Sequence, residues 1–122
     1  MSSTPAQQAL VAALNPLFTG GVFALIAPDT PATPFAVYQI VASAPENTLA
    51  QGVTLENDRY QVDIYAPLYQ DVHDLADSAR AALIAIAWPL SFVFLTQTDQ
   101  FEAELKLHRV TMDFSVWQNR RL

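Results

Sequence analysis

Two alternating segments on either side of an amphipathic helical segment predict an α+β fold, built on a sheet with one covered and one open face. The segments are Arg59–Ala66 and His108–Trp117. In the first, Tyr60, Val62 and Ile64 fall on one side and Gln61 and Asp63 on the other. In the second, Val110, Met112, Phe114 and Val116 oppose Arg109, Thr111, Asp113 and Ser115. Apolar-in, polar-out alternation is the signature of antiparallel strands covered on one side only.

The elements follow in chain order. Thr4 and Gln7 fit a capping box and Pro5 suits a first helical position, which predicts a helix over Pro5–Leu14 with Leu10, Val11 and Leu14 as its apolar stripe. Asn15-Pro16 stops it. Gly20-Gly21 marks a turn before the short apolar run Val22–Ala27, a candidate first strand. Prolines 28, 31 and 34 make an extended connector. Phe35–Ser43 reads as a strand, with Phe35, Val37, Gln39 and Val41 on one face and Ala36, Tyr38, Ile40 and Ala42 on the other.

Residues 44–58 form a connection far longer than the two to five residues of an ordinary hairpin loop. Leu49, Val53 and Leu55 are costly in a solvated loop, so the segment reads as an arm that docks on something. The alternative is that the flanking strands extend into a long hairpin. After the strand Arg59–Ala66, Pro67 breaks the sheet and Tyr69–Trp88 reads as the main helix, with Val72, Leu75, Ala76, Ala79, Leu83 and Ile86 at helical spacing. Asp71, Asp74 and Asp77 lie toward its N-terminus, where the helix dipole favours negative charge. Phe92–Thr98 is a further strand, Gln97–Glu104 a polar turn, Leu107–Trp117 the last strand, and Gln118–Leu122 a tail that frays or docks on a neighbour.

The chain has 122 residues, the size of one domain, so residues 1–122 are expected to fold as a unit. Its 52% hydrophobic content with 15% charged residues exceeds the apolar share of an average soluble domain, about 45–50%. The surplus fits either a well-filled core or apolar surface buried against a partner or further copies. A formal charge of −6 with six Lys and Arg argues against a sequence-independent nucleic-acid binder, whose affinity comes from cations on phosphates. With no cysteine there is no disulfide, thiolate zinc site or thiol nucleophile. The first residues lack the basic and apolar regions of a signal peptide, so the chain is expected to stay in the cytoplasm. The uncharged run Ala81–Leu95 is shorter than the roughly twenty residues of a membrane span and contains Pro89, which favours a core helix followed by a buried strand.

Catalytic patterns are sparse. His73 and Asp77 at i, i+4 supply two ligand types on one helix face without a third at fixed spacing. His108 opens a strand beside Arg109. Asp63 and Asp113 hold corresponding polar-face positions and are candidates for paired carboxylates. The plainer expectation is that they pair with Arg59, Arg109 or Arg80. No nucleophile elbow, phosphate-binding glycine loop or dinucleotide fingerprint is present.

In order and spacing, the run Pro34-Phe35-Ala36-Val37-Tyr38-Gln39, the strand Arg59-Tyr60-Gln61-Val62-Asp63-Ile64-Tyr65-Ala66, the helical Leu75-Ala76-Asp77-Ser78-Ala79-Arg80-Ala81-Ala82-Leu83 and the strand His108–Trp117 resemble the tail completion proteins of tailed bacteriophages. That family, also called DUF3168, is similar to tail terminator and head-to-tail joining proteins. The match runs from the first helix to Trp117, with Ala81–Leu95 more apolar than the family pattern.

The resemblance implies a mainly antiparallel sheet of four to five strands with two helices covering one face, in a non-enzymatic subunit without a cofactor. It implies a homo-oligomeric ring, a hexamer, at the head-proximal end of the tail, assembled in the host bacterial cytoplasm. The ring caps the tail tube, stops its polymerisation and joins it to the connector or neck protein, while DNA passes through without specific binding. In that setting Asn47, Thr48, Leu49, Val53, Leu55, Arg59, Trp117, Arg120 and Arg121 are the expected interface. Gln61, Asp63, Arg109, Thr111 and Asp113 are the expected polar sheet face or lumen, read as an acidic wall. A minor tail or neck adaptor of the same fold is the alternative. A small metal-dependent or ligand-binding enzyme using His73, Asp77, Asp63 or Asp113 is the third reading.

Overall fold

The computed structural model describes residues 5–29, 31–50, 53–87 and 90–121, with residues 43–50, 53–55 and 119–121 described by their backbone alone. The elements are α1 (Pro5–Leu14), a 3-10 turn (Asn15–Leu17), β1 (Val22–Ala24), β2 (Phe35–Ala50), β3 (Val53–Ala66), α2 (Tyr69–Ile84), β4 (Leu90–Glu102) and β5 (Leu107–Arg121). The sheet order is β1-β2-β3-β5-β4, with β1 parallel to β2 and the other pairs antiparallel. This is the expected α+β architecture.

The alternation read from β3 and β5 sets the sheet's two faces. Tyr60 lies opposite Phe114, Val62 opposite Met112 and Ile64 opposite Val110, and all six are fully buried. Ala6, Leu10 and Leu14 of α1 and Val72, Ala76, Ala79 and Leu83 of α2 share the same core with them. Burying each large side chain is worth about 1.5–3 kcal/mol, so this layer holds the fold. Tyr60, Phe92, Phe94 and Phe114 meet edge to face at centroid distances of 5.8–6.3 Å. The expected capping residue Thr4 lies outside the described residues.

Several boundaries differ from the expectation. Residues 44–58 are not a docking loop but the alternative, a long hairpin: β2 and β3 pair from Phe35↔Tyr65 out to Ala50↔Val53. Nor is 118–121 a frayed tail, since β5 pairs with β3 as far as Val53↔Arg121. The result is a three-stranded arm in which β3 is paired on both sides, while β2 and the end of β5 are each paired on one side only. The helix α2 ends at Ile84, before the expected Trp88, because the next residues turn the chain into β4: Ala85 caps the helix and the Leu90 amide donates to Ala87 O. Trp88 and Pro89 lie outside the described residues. The first strand stops at Ala24, as Leu25 takes a left-handed φ of 67°. The fourth strand runs on to Glu102, so the expected polar turn shrinks to residues 103–106.

Bulges also break the simple alternation. An irregularity between Ile40 and Ala42 sets Ala42 opposite Arg59, on the open face rather than the covered one. Another between Phe94 and Thr96 shifts β4 so that Asp99 and Phe101 lie opposite Val110 and His108.

Candidate functional surface

The open face is built by the outward residues of β3 and β5 and their neighbours. Gln61 lies opposite Asp113, Asp63 opposite Thr111, Tyr65 opposite Arg109 and Arg59 opposite Ser115, so the five expected face residues do come together. Thr111 Oγ1 donates to Asp63 Oδ1 at 2.6 Å, and Thr96 Oγ1 donates to Asp113 Oδ2 at 3.1 Å. The expected arginine partners are elsewhere. Arg109 Nη1 meets Glu102 Oε1 at 3.2 Å and donates to Tyr65 Oη at 3.5 Å, while Arg80 meets Asp77 at 3.2 Å and sits 4.8 Å over the Phe94 ring. Cross-strand hydroxyls are closer and shorter than an arginine from the next row, so they take the carboxylates.

Partial burial disfavours the Arg109 charge, but the Tyr65 hydroxyl and the Asp63 and Glu102 carboxylates outweigh it and hold its pKa above the usual guanidinium value. Asp63, Asp113 and Glu102 are thus set against Arg59 and Arg109, three negative groups against two positive. Among these described residues the face carries a small excess of negative charge.

At the base of the arm, Ala42, Asn57, Arg59, Leu95 and Ser115 line a shallow recess of about 330 Å3. Asn57 Nδ2 donates to Ser115 Oγ at 2.8 Å and fixes its floor. Arg59 is exposed and, among the described residues, forms no ion pair. Half-buried Trp117 lies opposite Asn57. The other expected interface residues are distributed along the arm: Asn47, Thr48 and Leu49 on β2, Val53 and Leu55 on β3, and Arg120 and Arg121 on β5. Their backbones are strand, and their side chains lie outside the described residues. On the covered side of the same level, Gln118 Nε2 donates to Glu56 Oε2 at 3.0 Å and to Asp58 Oδ2 at 3.1 Å, with Asp58 and Gln118 both buried. The core face therefore turns polar where the arm begins.

A second feature escaped the sequence reading. Tyr69, Val72, His73, Asp99, Phe101, His108 and Arg109 are among the residues lining a recess of about 250 Å3 between α2 and the end of β4 and β5. His73 Nε2 lies 3.0 Å from Asp99 Oδ2, not paired with Asp77, and the Tyr69 ring packs 4.4 Å from His73 and 5.6 Å from His108. The i, i+4 pair Tyr69 and His73 was a usable signal for one wall; the bulge that brings Asp99 and Phe101 inward was not. Among the described residues, no three His, Cys, Asp or Glu side chains are grouped to hold a metal, and Asp63 and Asp113 each serve a threonine hydroxyl.

The sequence profile described as tail completion protein gp17 matches residues 5–119. The chain belongs to the tail completion protein gp17 family. It is therefore a structural component of a phage tail, and a virion protein. A search of the curated proteins finds no match. Among solved structures, a chain of the "Virion of native gene transfer agent (GTA) particle" superposes on this tail completion protein with a TM-score of 0.59 at 13% identity, covering 97% of this chain and 100% of that one. The likeness is one of fold. The type 4 fimbrial biogenesis protein PilO from Pseudomonas aeruginosa aligns at a TM-score of 0.39 and 8% identity, over 100% of this chain and 72% of that one. No helix among the described residues is long and apolar enough to cross a membrane.

Proposed function

We propose that this tail completion protein acts as a tail terminator: a single-domain, non-enzymatic subunit of a homo-oligomeric ring, a hexamer, at the head-proximal end of the tail. The ring caps the tube, stops its polymerisation and joins it to the connector or neck protein. The observation that carries this reading is the three-stranded arm. Strands β2, β3 and β5 run on together past the level of Glu56 and Gln118, where the covered face has turned polar, so we read the arm as a strand-paired projection beyond the helix-covered core. A paired projection holds its shape without a partner and limits the ordering entropy lost on docking. Passage of DNA through the ring without specific binding agrees with a formal charge of −6 and an open face with a small excess of negative charge.

Purified protein mixed with tail tube protein at high concentration should form rings and bind tube ends, seen by light scattering and electron microscopy. Monomers alone, with tubes elongating as without the protein, would overturn the terminator role. Binding to neck components but not to tube ends would favour the adaptor role.

A further inference from the structure

The five-stranded sheet ends in two long edges. Strand β4 spans 13 residues and has β5 on one side only; from Leu90 to Thr98 it carries no charge and no proline. On the opposite border, β1 covers β2 only at Ala36–Tyr38, and β2 continues to Ala50 beyond it. Residues 39–44 of that free stretch are also uncharged. Folded proteins normally blunt such edges with charge, proline or a covering segment, because unpaired backbone groups recruit further strands. Within 39–45 of β2 and 90–98 of β4 each edge has one bulge, with a second irregularity on β2 only beyond Glu46, and these stretches expose Ile40 and Val41 on one border and Val93 and Leu95 on the other.

The register makes these edges complementary. Reading across the sheet, Pro45, Glu56, Gln118 and Leu90 form one row, and Ala44, Asn57, Trp117 and Ser91 the next. They are followed by Ser43, Asp58, Val116 and Phe92, then by Ala42, Arg59, Ser115 and Val93, and finally by Ile40, Tyr60, Phe114 and Phe94. The free part of β2 therefore stands level with Leu90–Phe94. Both bulges fall beside the same row, and β2 and β4 run in opposite directions. A second copy set beside the first in the same orientation brings its β2 antiparallel to β4, at matching height, with helices on one side and open faces on the other. Contact of that kind is head-to-tail, and closes a ring when the rotation between copies closes.

We infer that Leu90–Phe94 of β4 pairs with Ile40–Pro45 of the next copy, joining the subunits through a continuous antiparallel sheet. This rests on the ring reading above and adds the joint between its subunits. The chain lacks cysteine, so introduced pairs report directly. Ser91→Cys is combined in turn with Ala42→Cys, Ala44→Cys or Glu46→Cys, which covers the level register and one step either side. Within one copy these strands are three spacings apart, about 14 Å, beyond the reach of a disulfide, so any bond joins two copies.

Assembled under oxidation, at least one double variant should give a ladder of covalent multimers on a non-reducing gel, whereas each single variant stops at dimers. In the unmodified protein, amide exchange over 39–44 and 90–94 should slow at least tenfold on assembly. Rings visible by electron microscopy without a ladder and without protection would overturn the joint while leaving the ring intact. Failure to assemble at any concentration, with or without tube protein, would overturn both.

Discussion

Thr111 on β5 donates its hydroxyl to the Asp63 carboxylate of β3 at 2.6 Å, in the middle of the open face. The pair satisfies a half-buried carboxylate without an ion pair, and leaves Arg109 to Tyr65 and Glu102. Replacing Thr111 with Val keeps the strand shape and removes the donor. Thr111→Val should therefore cost about 1 kcal/mol in urea unfolding. Glu102→Gln, which weakens a partly exposed ion pair, should cost less than about 1 kcal/mol.

Gln118 joins the two carboxylates at the base of the arm through one amide group. Gln118→Met removes that donor from a buried position, and a loss of about 1–3 kcal/mol is expected in chemical denaturation. Gln118→Glu should lose more, because it sets a third carboxylate directly opposite Glu56. Equal stability of the three proteins would show that the cluster is held by other contacts.

The residues that were legible in the sequence are those whose neighbours follow a fixed period. Tyr60, Val62, Ile64, Val110, Met112, Phe114 and Val116 keep a strict two-residue alternation, so their burial was readable. So was the α2 stripe. The polar face was readable as a set of residues, but its partners were not: the choice of Thr111 and Thr96 over the arginines depends on register, which no single strand records. Residues 44–58 misled because proline, glycine and polar residues mark both loops and exposed strands. There β2 pairs with β3 locally, while the second partner of β3 is β5, some sixty positions away in sequence. The bulges at Val41 and Leu95 reverse the phase of everything after them, so the Asp99 and Phe101 wall of the histidine recess was hidden.

Gly20 sits in a close backbone contact. A Cβ there would lie 1.8 Å from the carbonyl oxygen of Ala32 and 2.7 Å from that of Pro34, to which the Gly20 amide donates at 2.8 Å. The contact ties the turn before β1 to the start of β2. Gly20→Ala must separate them, and a loss of at least about 1 kcal/mol is expected. Thermal unfolding monitored by circular dichroism checks it; an unchanged midpoint would mean that the turn relaxes freely.

Tyr38 is buried beneath the helices, and desolvation holds its phenol pKa above the ordinary 10.0. In the unfolded chain the phenol ionises near its ordinary value, so protons are released on unfolding above that pH. The contribution is fully present below about pH 10 and is lost as pH rises toward the folded-state pKa. Tyr38→Phe should therefore flatten the alkaline loss of stability without changing its slope at neutral pH. Parallel alkaline profiles of the two proteins would contradict the burial effect.

The arm offers the sharpest separation of folding from assembly. Pro45 and Glu56 face each other across β2 and β3, so removing residues 46–55 and joining these two through Asn-Gly closes the hairpin with a turn suited to the strand twist. The core residues Tyr60, Phe114, Leu83 and Leu10 are untouched. What is lost is pairing with the end of β5, at Asn119, Arg120 and Arg121, which would fray. A protein with native circular dichroism and a denaturation midpoint slightly below that of the full chain is expected, and it keeps Ile40–Pro45 and Leu90–Phe94, the segments inferred to join the copies. Binding to tube ends should fall at least tenfold in a sedimentation assay, because the projection that reaches a partner is gone. If the shortened protein still caps tubes, the arm serves only to extend the sheet, and the recess around Arg59 becomes the surface that engages the tail.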